Sequence, residues 1–290
     1  MNMNNYICYN WMGAVADHCL DLSQEEYSRW GVGRLHNKNL SPRRVCKGDV
    51  IFVKTDFIFT GHFQRNILPQ IKEPFTLITG ASSYQVDRGE SIAPILNNHL
   101  VRKWYCTNAP KDVSPKIIPF PIGFQERERD GGNQGLLHDL RKSRTRFSDK
   151  ISKIWLPYHD LSTNVSRCDT INKLKALPFV DSQEERLPFE EYMRKLDLYK
   201  YVICLEGSGP DVHRNYESLL MDTVPINSKN IIEQLFTYYD LPGVFLNSWN
   251  DLDENYFTKL NKKIFNVERS GVFLDTEFHS NKLKNDRRYT

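Results

Sequence analysis

The chain has 290 residues, a net charge of +3, and 40% hydrophobic and 26% charged residues. That is the balance of a soluble globular protein with room for two compact domains or one large one. So small a charge excludes binding to nucleic acid through bulk electrostatics, and no apolar run approaches the ~20 residues of a membrane span. The N-terminal stretch MNMNNYICYNWMGAVADHC has no basic segment followed by a long apolar core, so it does not read as a signal peptide. A cytoplasmic location follows. The cysteines at 8, 19, 46, 106, 168 and 204 form no CxxC pair and read as buried free thiols of a reducing compartment.

In chain order, Tyr6–Tyr9 is a short β-prone run and Asp49–Lys54 a stronger one, followed by Phe75–Thr79, Trp104–Cys106 and Ile117–Phe120. Residues 57–68 and 92–100 carry helical patterns between them. This alternation predicts a parallel α/β sheet in an N-terminal domain spanning 1–130. Residues 131–149 change character: a polar, glycine-containing stretch runs into the basic amphipathic segment LLHDLRKSRTRFSDK, and the linker is placed there. Its arginines read as a solvated face.

A second α/β series fills 150–270, with a tail from 271 to 290. Lys153–Pro157 is a strand, and 168–177 and 189–198 are helices. Tyr201–Leu205 is a buried strand, 231–238 a helix, Gly243–Leu246 a strand, and 251–265 the last helix. The densest segment is YVICLEGSGPDVHRNYESLLMDTVPI, from Tyr201 to Ile226. A strand runs into Gly207-Ser208-Gly209-Pro210. Asp211 fits a helix N-cap, a helix runs from Val212, and Val224-Pro225-Ile226 opens another strand. A glycine loop feeding a helix start is where a parallel sheet receives a phosphate-bearing ligand. Arg214 and Glu217 lie three apart on one helix face, a cation for phosphate and a carboxylate for ribose hydroxyls. Taken alone, the same charges also fit a capped helix with a surface ion pair.

These residues resemble the sugar-nucleotide signature of the exostosin-like glycosyltransferases: strand, glycine loop, Arg followed three residues later by Glu, and a strand opening on proline. Shorter segments, Leu77–Ser83, Lys103–Asn108, Pro119–Phe124 and Gly243–Trp249, look like parts of small bacterial and viral members. The resemblance implies a GT-B-like α/β fold, with two Rossmann-like domains facing across a cleft. The C-terminal domain would hold a nucleotide sugar and the N-terminal one a glycan acceptor. It implies transfer from a nucleotide-diphosphate sugar, a UDP-sugar such as UDP-xylose, with inversion, and with no cofactor or metal required. Oligomeric state is left open.

On this reading the diphosphate lies against Arg214 and the N–H groups of Gly207, Ser208 and Gly209, and Glu217 takes the ribose. His213 either touches the phosphate or caps the helix. Thr163, Asn164 and Arg167, ahead of the 168–177 helix, form a second phosphate candidate or an ordinary helix start. Transfer needs a base for the acceptor hydroxyl. Asp56, after the strongest N-terminal strand, comes first, then Asp17 with His18, then His62. Asp251 and Asp253 form a D-x-D that fits a helix start better than a metal site. There is no GxxxxGK[ST] or GxGxxG after the first strand, which speaks against a kinase, a Rossmann oxidoreductase or a sugar-nucleotide epimerase. A non-catalytic binding module of the same fold, or another nucleotide-dependent α/β enzyme, remains the alternative.

Overall fold

The computed structural model describes residues 5–162, 164–268 and 270–287. The chain divides into two compact units: one ends at Gly132 and takes the chain back from Asp275, and the other is Asn133–Leu274. Each is built on a five-stranded sheet in which every pairing is parallel. No helix among the described residues is long and apolar enough to cross a membrane.

Unit 1 runs α1 (Trp11–Val15), β1 (His18–Leu20), α2 (Gln24–Arg29), β2 (Val50–Lys54), α3 (Thr55–Phe59), β3 (Phe75–Gly80), α4 (Ala93–Leu96), β4 (Val101–Cys106) and β5 (Ile117–Pro119). Its strands lie side by side in chain order, β1-β2-β3-β4-β5. Right-handed crossovers then stack the connecting segments on one face. There Ile51, Val53, Leu77, Trp104 and Cys106 pack with Ile58 of α3 and Ile95 of α4. The opposite face carries Tyr105, whose ring meets Phe120 at 5.5 Å.

Unit 2 runs α5 (Gln134–Ser143), β6 (Ile151–Leu156), α6 (Arg167–Lys175), β7 (Val180–Ser182), α7 (Phe189–Asp197), β8 (Tyr199–Ile203), α8 (His213–Leu220), β9 (Val224–Ser228), α9 (Ile231–Tyr239), β10 (Val244–Leu246), α10 (Glu254–Leu260) and α11 (Ser270–Phe273). Its order is β10-β9-β8-β6-β7. The chain goes from β6 outward to β7 and returns to the other side of β6 as β8, so the order reverses between β6 and β8. One face packs Ile154, Leu156, Tyr201, Ile203 and Ile226 against Leu174 of α6 and Leu260 of α10. On the other, Trp155 meets Tyr192 of α7 with ring centroids 5.4 Å apart. In open parallel sheets, ligands bind outside the carboxyl ends of the strands where the order reverses, which puts the expected position at the ends of β6 and β8.

Several elements differ from the sequence pattern. Tyr6 and Cys8 make only isolated bridges. The helix expected over 57–68 stops at Phe59, because Gly61 takes φ +72, and a single wide turn, Phe63–Ile67, follows. The 92–100 helix shrinks to α4: the Asn98 side chain takes the Leu100 N–H at 2.8 Å, a local turn that competes with helix. β1 and β7 are three residues each, too short for a periodic signal.

The 131–149 stretch expected as linker carries α5, which opens unit 2 by burying Leu137 and Leu140. Arg141, read as solvated, donates to the Leu219 carbonyl at 3.3 Å and to Asp222 Oδ1 at 2.6 Å. Arg144 bonds the other oxygen of Asp222. Asp222 sits at φ +53 just past α8, so both arginines close the carboxyl end of that helix, where cations are favoured. Beyond 270, where a tail was expected, lie α11 and then α12 (Thr276–Arg287). Thr276 N–H bonds Asn5 O at 2.8 Å. His279 is fully buried, its ring 5.3 Å from Phe120 and 6.2 Å from Trp11. This segment closes the face of unit 1 that the one-sided crossovers leave open. All six cysteines are free, and Cys46 and Cys168 are exposed rather than buried.

Candidate functional site

β8 ends at Ile203, and the chain runs through buried Cys204 and Leu205 into the glycine loop. Two side chains pin that loop by its carbonyls. Arg167 Nε donates to Glu206 O at 2.6 Å, and Asn164 Nδ2 reaches Glu206 O at 3.5 Å and Gly207 O at 3.4 Å. A Cβ on Gly207 would stand 3.3 Å from the Arg167 guanidinium, so glycine permits that approach. The expected cradle of loop N–H groups is smaller than the sequence implied. The Gly207 N–H is spent on Gly209 O at 3.0 Å, which leaves Ser208 and Gly209 with N–H groups unbonded among the described residues.

The helix starts later than expected. α8 opens at His213 with Val212 in the cap position and no side-chain cap. Asp211, expected as the N-cap, is buried two residues upstream, where Asn215 Nδ2 donates to it at 3.3 Å and the Tyr216 hydroxyl also bonds it. His213 is therefore the first helical residue and not the cap. The first turn itself carries no acid, and the nearest carboxylate is the buried Asp211 just ahead of it.

Next to it in the first turn, Arg214 reaches back over the end of β6. Its Nε donates to Tyr192 Oη at 3.3 Å and its Nη2 to Tyr158 O at 3.0 Å, and its Nη1 bonds His159 Nε2. The guanidinium also lies 5.8 Å from the Tyr192 ring centroid, within cation–π range. A phenol, an imidazole and a carbonyl are all uncharged, so direct contact leaves the charge of Arg214 unneutralised. Glu217, one turn further, is 6% exposed. Its Oε2 accepts the Tyr192 hydroxyl at 2.8 Å. Arg214 and Glu217 share a face, as their spacing requires, but a tyrosine from α7 joins them. Burial, and then the Glu217 charge, hold that phenol well above its usual pKa.

His159 is almost fully buried. Its Nδ1 lies 2.7 Å from Pro157 O. A carbonyl only accepts and a guanidinium only donates, so Nδ1 carries the proton and Nε2 presents its lone pair to Arg214. Burial, then the charge of Arg214, push the ring well below the ordinary imidazole pKa, and the neutral form persists. Arg167 approaches from α6, where its Nη1 also bonds Asp160 O at 3.0 Å. Burial, then the charge of Arg214, lower its pKa too, which marks two cations converging at the β6–β8 reversal.

A small cavity of about 120 Å³ lies beside them, lined by Asn164, Ser166, Arg167, Glu206, Ser228 and Trp249. It offers room for about four waters. Glu206 Oε1 turns toward β9, accepting from Asn230 Nδ2 at 2.6 Å and Ser228 Oγ at 3.3 Å. Thr163 lies outside the described residues. Asp251 and Asp253 both cap: Asp251 Oδ2 takes the Ser248 N–H at 2.9 Å and Asp253 Oδ1 the Tyr256 N–H at 2.6 Å.

In unit 1 the expected base residues separate. Asp56 stands at the carboxyl end of β2 with its side chain 40% exposed, ion-paired with buried Lys54. Asp17 and His18 lie at the opposite, amino edge. There Asp17 Oδ2 accepts the Val50 N–H at 2.8 Å and His18 Nε2 meets Asp49 Oδ2 at 2.8 Å. They tie β1 to the start of β2 and are not grouped with Asp56. His62 Nδ1 is 3.1 Å from Asn66 Nδ2. Near Asp56 the structure adds Tyr9, whose phenol is raised by burial and then by the charges of Glu126 and Asp56. A larger concavity of about 770 Å³, lined by Arg43, Cys46, Lys47, Lys72 and Glu73 among others, lies at the amino ends of β2 and β3, away from Asp56.

His159 and Tyr192 are absent from the sequence reading, whereas Asn164 belongs to the second phosphate candidate named with Thr163 and Arg167. The helical pattern of α7 assigns Tyr192 to the core. His159 follows a strand with no periodic signal. Only the reversal of strand order brings these residues to one edge.

No family model matches the chain, and no curated protein matches it. Among solved structures, a UDP-GlcNAc 2-epimerase from Methanocaldococcus jannaschii is similar over 83% of this chain and 77% of that one, at 12% identity and a TM-score of 0.38.

Proposed function

We propose that unit 2 binds the diphosphate of a nucleotide sugar and that the protein is a glycosyltransferase acting on a glycan hydroxyl. The observation that carries this is Arg214: a guanidinium held entirely by uncharged partners where strand order reverses, with Arg167 converging on it. The nearest carboxylate, Glu217, reaches Arg214 only through the Tyr192 hydroxyl, and a bound diphosphate would give the two cations a counter-charge in direct contact. Glu217, with one oxygen on Tyr192, keeps the other for a ribose hydroxyl. A UDP-sugar is the first donor to test.

The chemistry is a single displacement. The acceptor hydroxyl oxygen forms a bond to the anomeric carbon as the bond from that carbon to the β-phosphate oxygen breaks. The electron pair leaves with the nucleoside diphosphate, whose added charge Arg214 and Arg167 stabilise. The hydroxyl proton passes to a general base, for which Asp56 is the candidate.

The test is a thermal-shift and calorimetric screen against UDP, GDP and their sugars, with and without a divalent cation. Stabilisation by one base, lost by ~2–4 kcal/mol in Arg214→Ala, supports the reading. Unchanged affinity in a folded Arg214→Ala variant would sink it. Donor that is bound but neither hydrolysed nor transferred would leave a binding module.

A further inference from the structure

A guanidinium has five N–H donors. In Arg214 the protein uses Nε on Tyr192, Nη1 on His159 and Nη2 on Tyr158 O. Two donors remain, one on each terminal nitrogen, and such a pair can hold two oxygens of one phosphate. Which pair remains is decided by what takes the others. Tyr158 O is backbone and fixed by the loop. The Nη1 partner is a side chain, and it accepts only because Pro157 O claims the proton on the opposite nitrogen.

We propose that His159 is a positioning residue for this anion site: as a neutral imidazole protonated on Nδ1, it holds Nη1 of Arg214 so that the two remaining donors stay paired for a phosphate. The role rests on the reading of unit 2 as a diphosphate site. The groups around the ring agree with it. α8 contributes the cation of Arg214 and α6 that of Arg167, both acting against a charged ring. α7 contributes Tyr192, an uncharged phenol on the far side of the Arg214 guanidinium. On the loop itself, the Asp160 carboxylate is engaged by the Ser162 N–H at 2.9 Å. A charged ring would present a donor to a donor.

The experiment compares wild type, His159→Gln and His159→Leu by calorimetry with UDP, GDP and inorganic pyrophosphate, alongside nitrogen NMR of histidine-labelled protein without ligand. Gln keeps an acceptor at the right reach, so its affinity stays within about threefold of wild type. Leu keeps bulk but no acceptor, so its affinity falls about 10–100-fold, the value of a hydrogen bond to a charged group. A packing role predicts the reverse order, and Leu binding as wild type or Gln failing as badly as Leu overturns the proposal. The NMR spectrum should show His159 neutral, protonated on Nδ1 and not titrating near pH 6.5. A ring protonated on Nε2, or an ordinary titration, overturns it whether or not a nucleotide binds. Wild-type protein that binds none of the three probes overturns the diphosphate reading, and the positioning role with it.

Discussion

Removing one oxygen from Tyr192 isolates the link between the two charged groups of the site. Tyr192→Phe keeps the ring and its contacts with Trp155 and Phe189, at 5.4 and 6.1 Å, so no cavity opens. What goes is a 2.8 Å bond to the Glu217 carboxylate and a 3.3 Å bond from Arg214. The first is a full-strength bond to a charged group, worth roughly 1.5–3 kcal/mol. The second is at the edge of hydrogen-bond range and adds little. Glu217 is buried at 6% exposure, so water replaces the lost donor only in part. The expected loss is about 2 kcal/mol, read as a lower urea midpoint at unchanged slope. Pairing it with Glu217→Gln in a double-mutant cycle should give a coupling of roughly 1–2 kcal/mol. A Tyr192→Phe variant within about 0.5 kcal/mol of wild type, or additive with Glu217→Gln, would show that the hydroxyl does not bridge the pair, since surface-like changes fall in that range.

Three further outcomes are expected. Asp222→Ala leaves Arg141 and Arg144 without their shared carboxylate and should cost about 3 kcal/mol by denaturation; a loss under about 1 kcal/mol would place the pair among weak surface contacts. His159 has a native pKa well below its ordinary value. Below about pH 6.5 the unfolded chain takes up a proton that the native state refuses, so its contribution to stability is complete above that pH and lost on acidification, by up to about 1.4 kcal/mol per pH unit. Urea unfolding of wild type and His159→Gln across that range should diverge with this slope, and parallel curves would contradict it. Asp56→Asn should slow sugar transfer by roughly 10²–10⁴ while nucleotide affinity holds; normal turnover would remove Asp56 as the base.

The strand pattern of both units was readable because Val50–Lys54, Phe75–Gly80 and Tyr199–Ile203 are apolar runs buried on both faces. The Arg214–Glu217 spacing was readable for the same reason: helix periodicity is local. The position of Asp17 was not, since it depends on Asp17 meeting Val50 across two strands. Nor was the bridge through Tyr192, which joins α7 to α8 across 25 residues. Asp211 misled because a good capping side chain found stronger partners one turn into the helix, in Asn215 and Tyr216.

The return of α12 to unit 1 has a consequence for synthesis. Unit 2 is one uninterrupted stretch, Asn133–Leu274, and can close its core once that stretch has left the ribosome. Unit 1, although made first, must wait for His279 to pack edge-on against the stacked pair Trp11 and Phe120. During translation the earlier-made half therefore exposes Trp11 and Phe120 until α12 emerges. A stop codon before residue 275 should harm the amino-terminal half of the protein and spare the half beside which it falls.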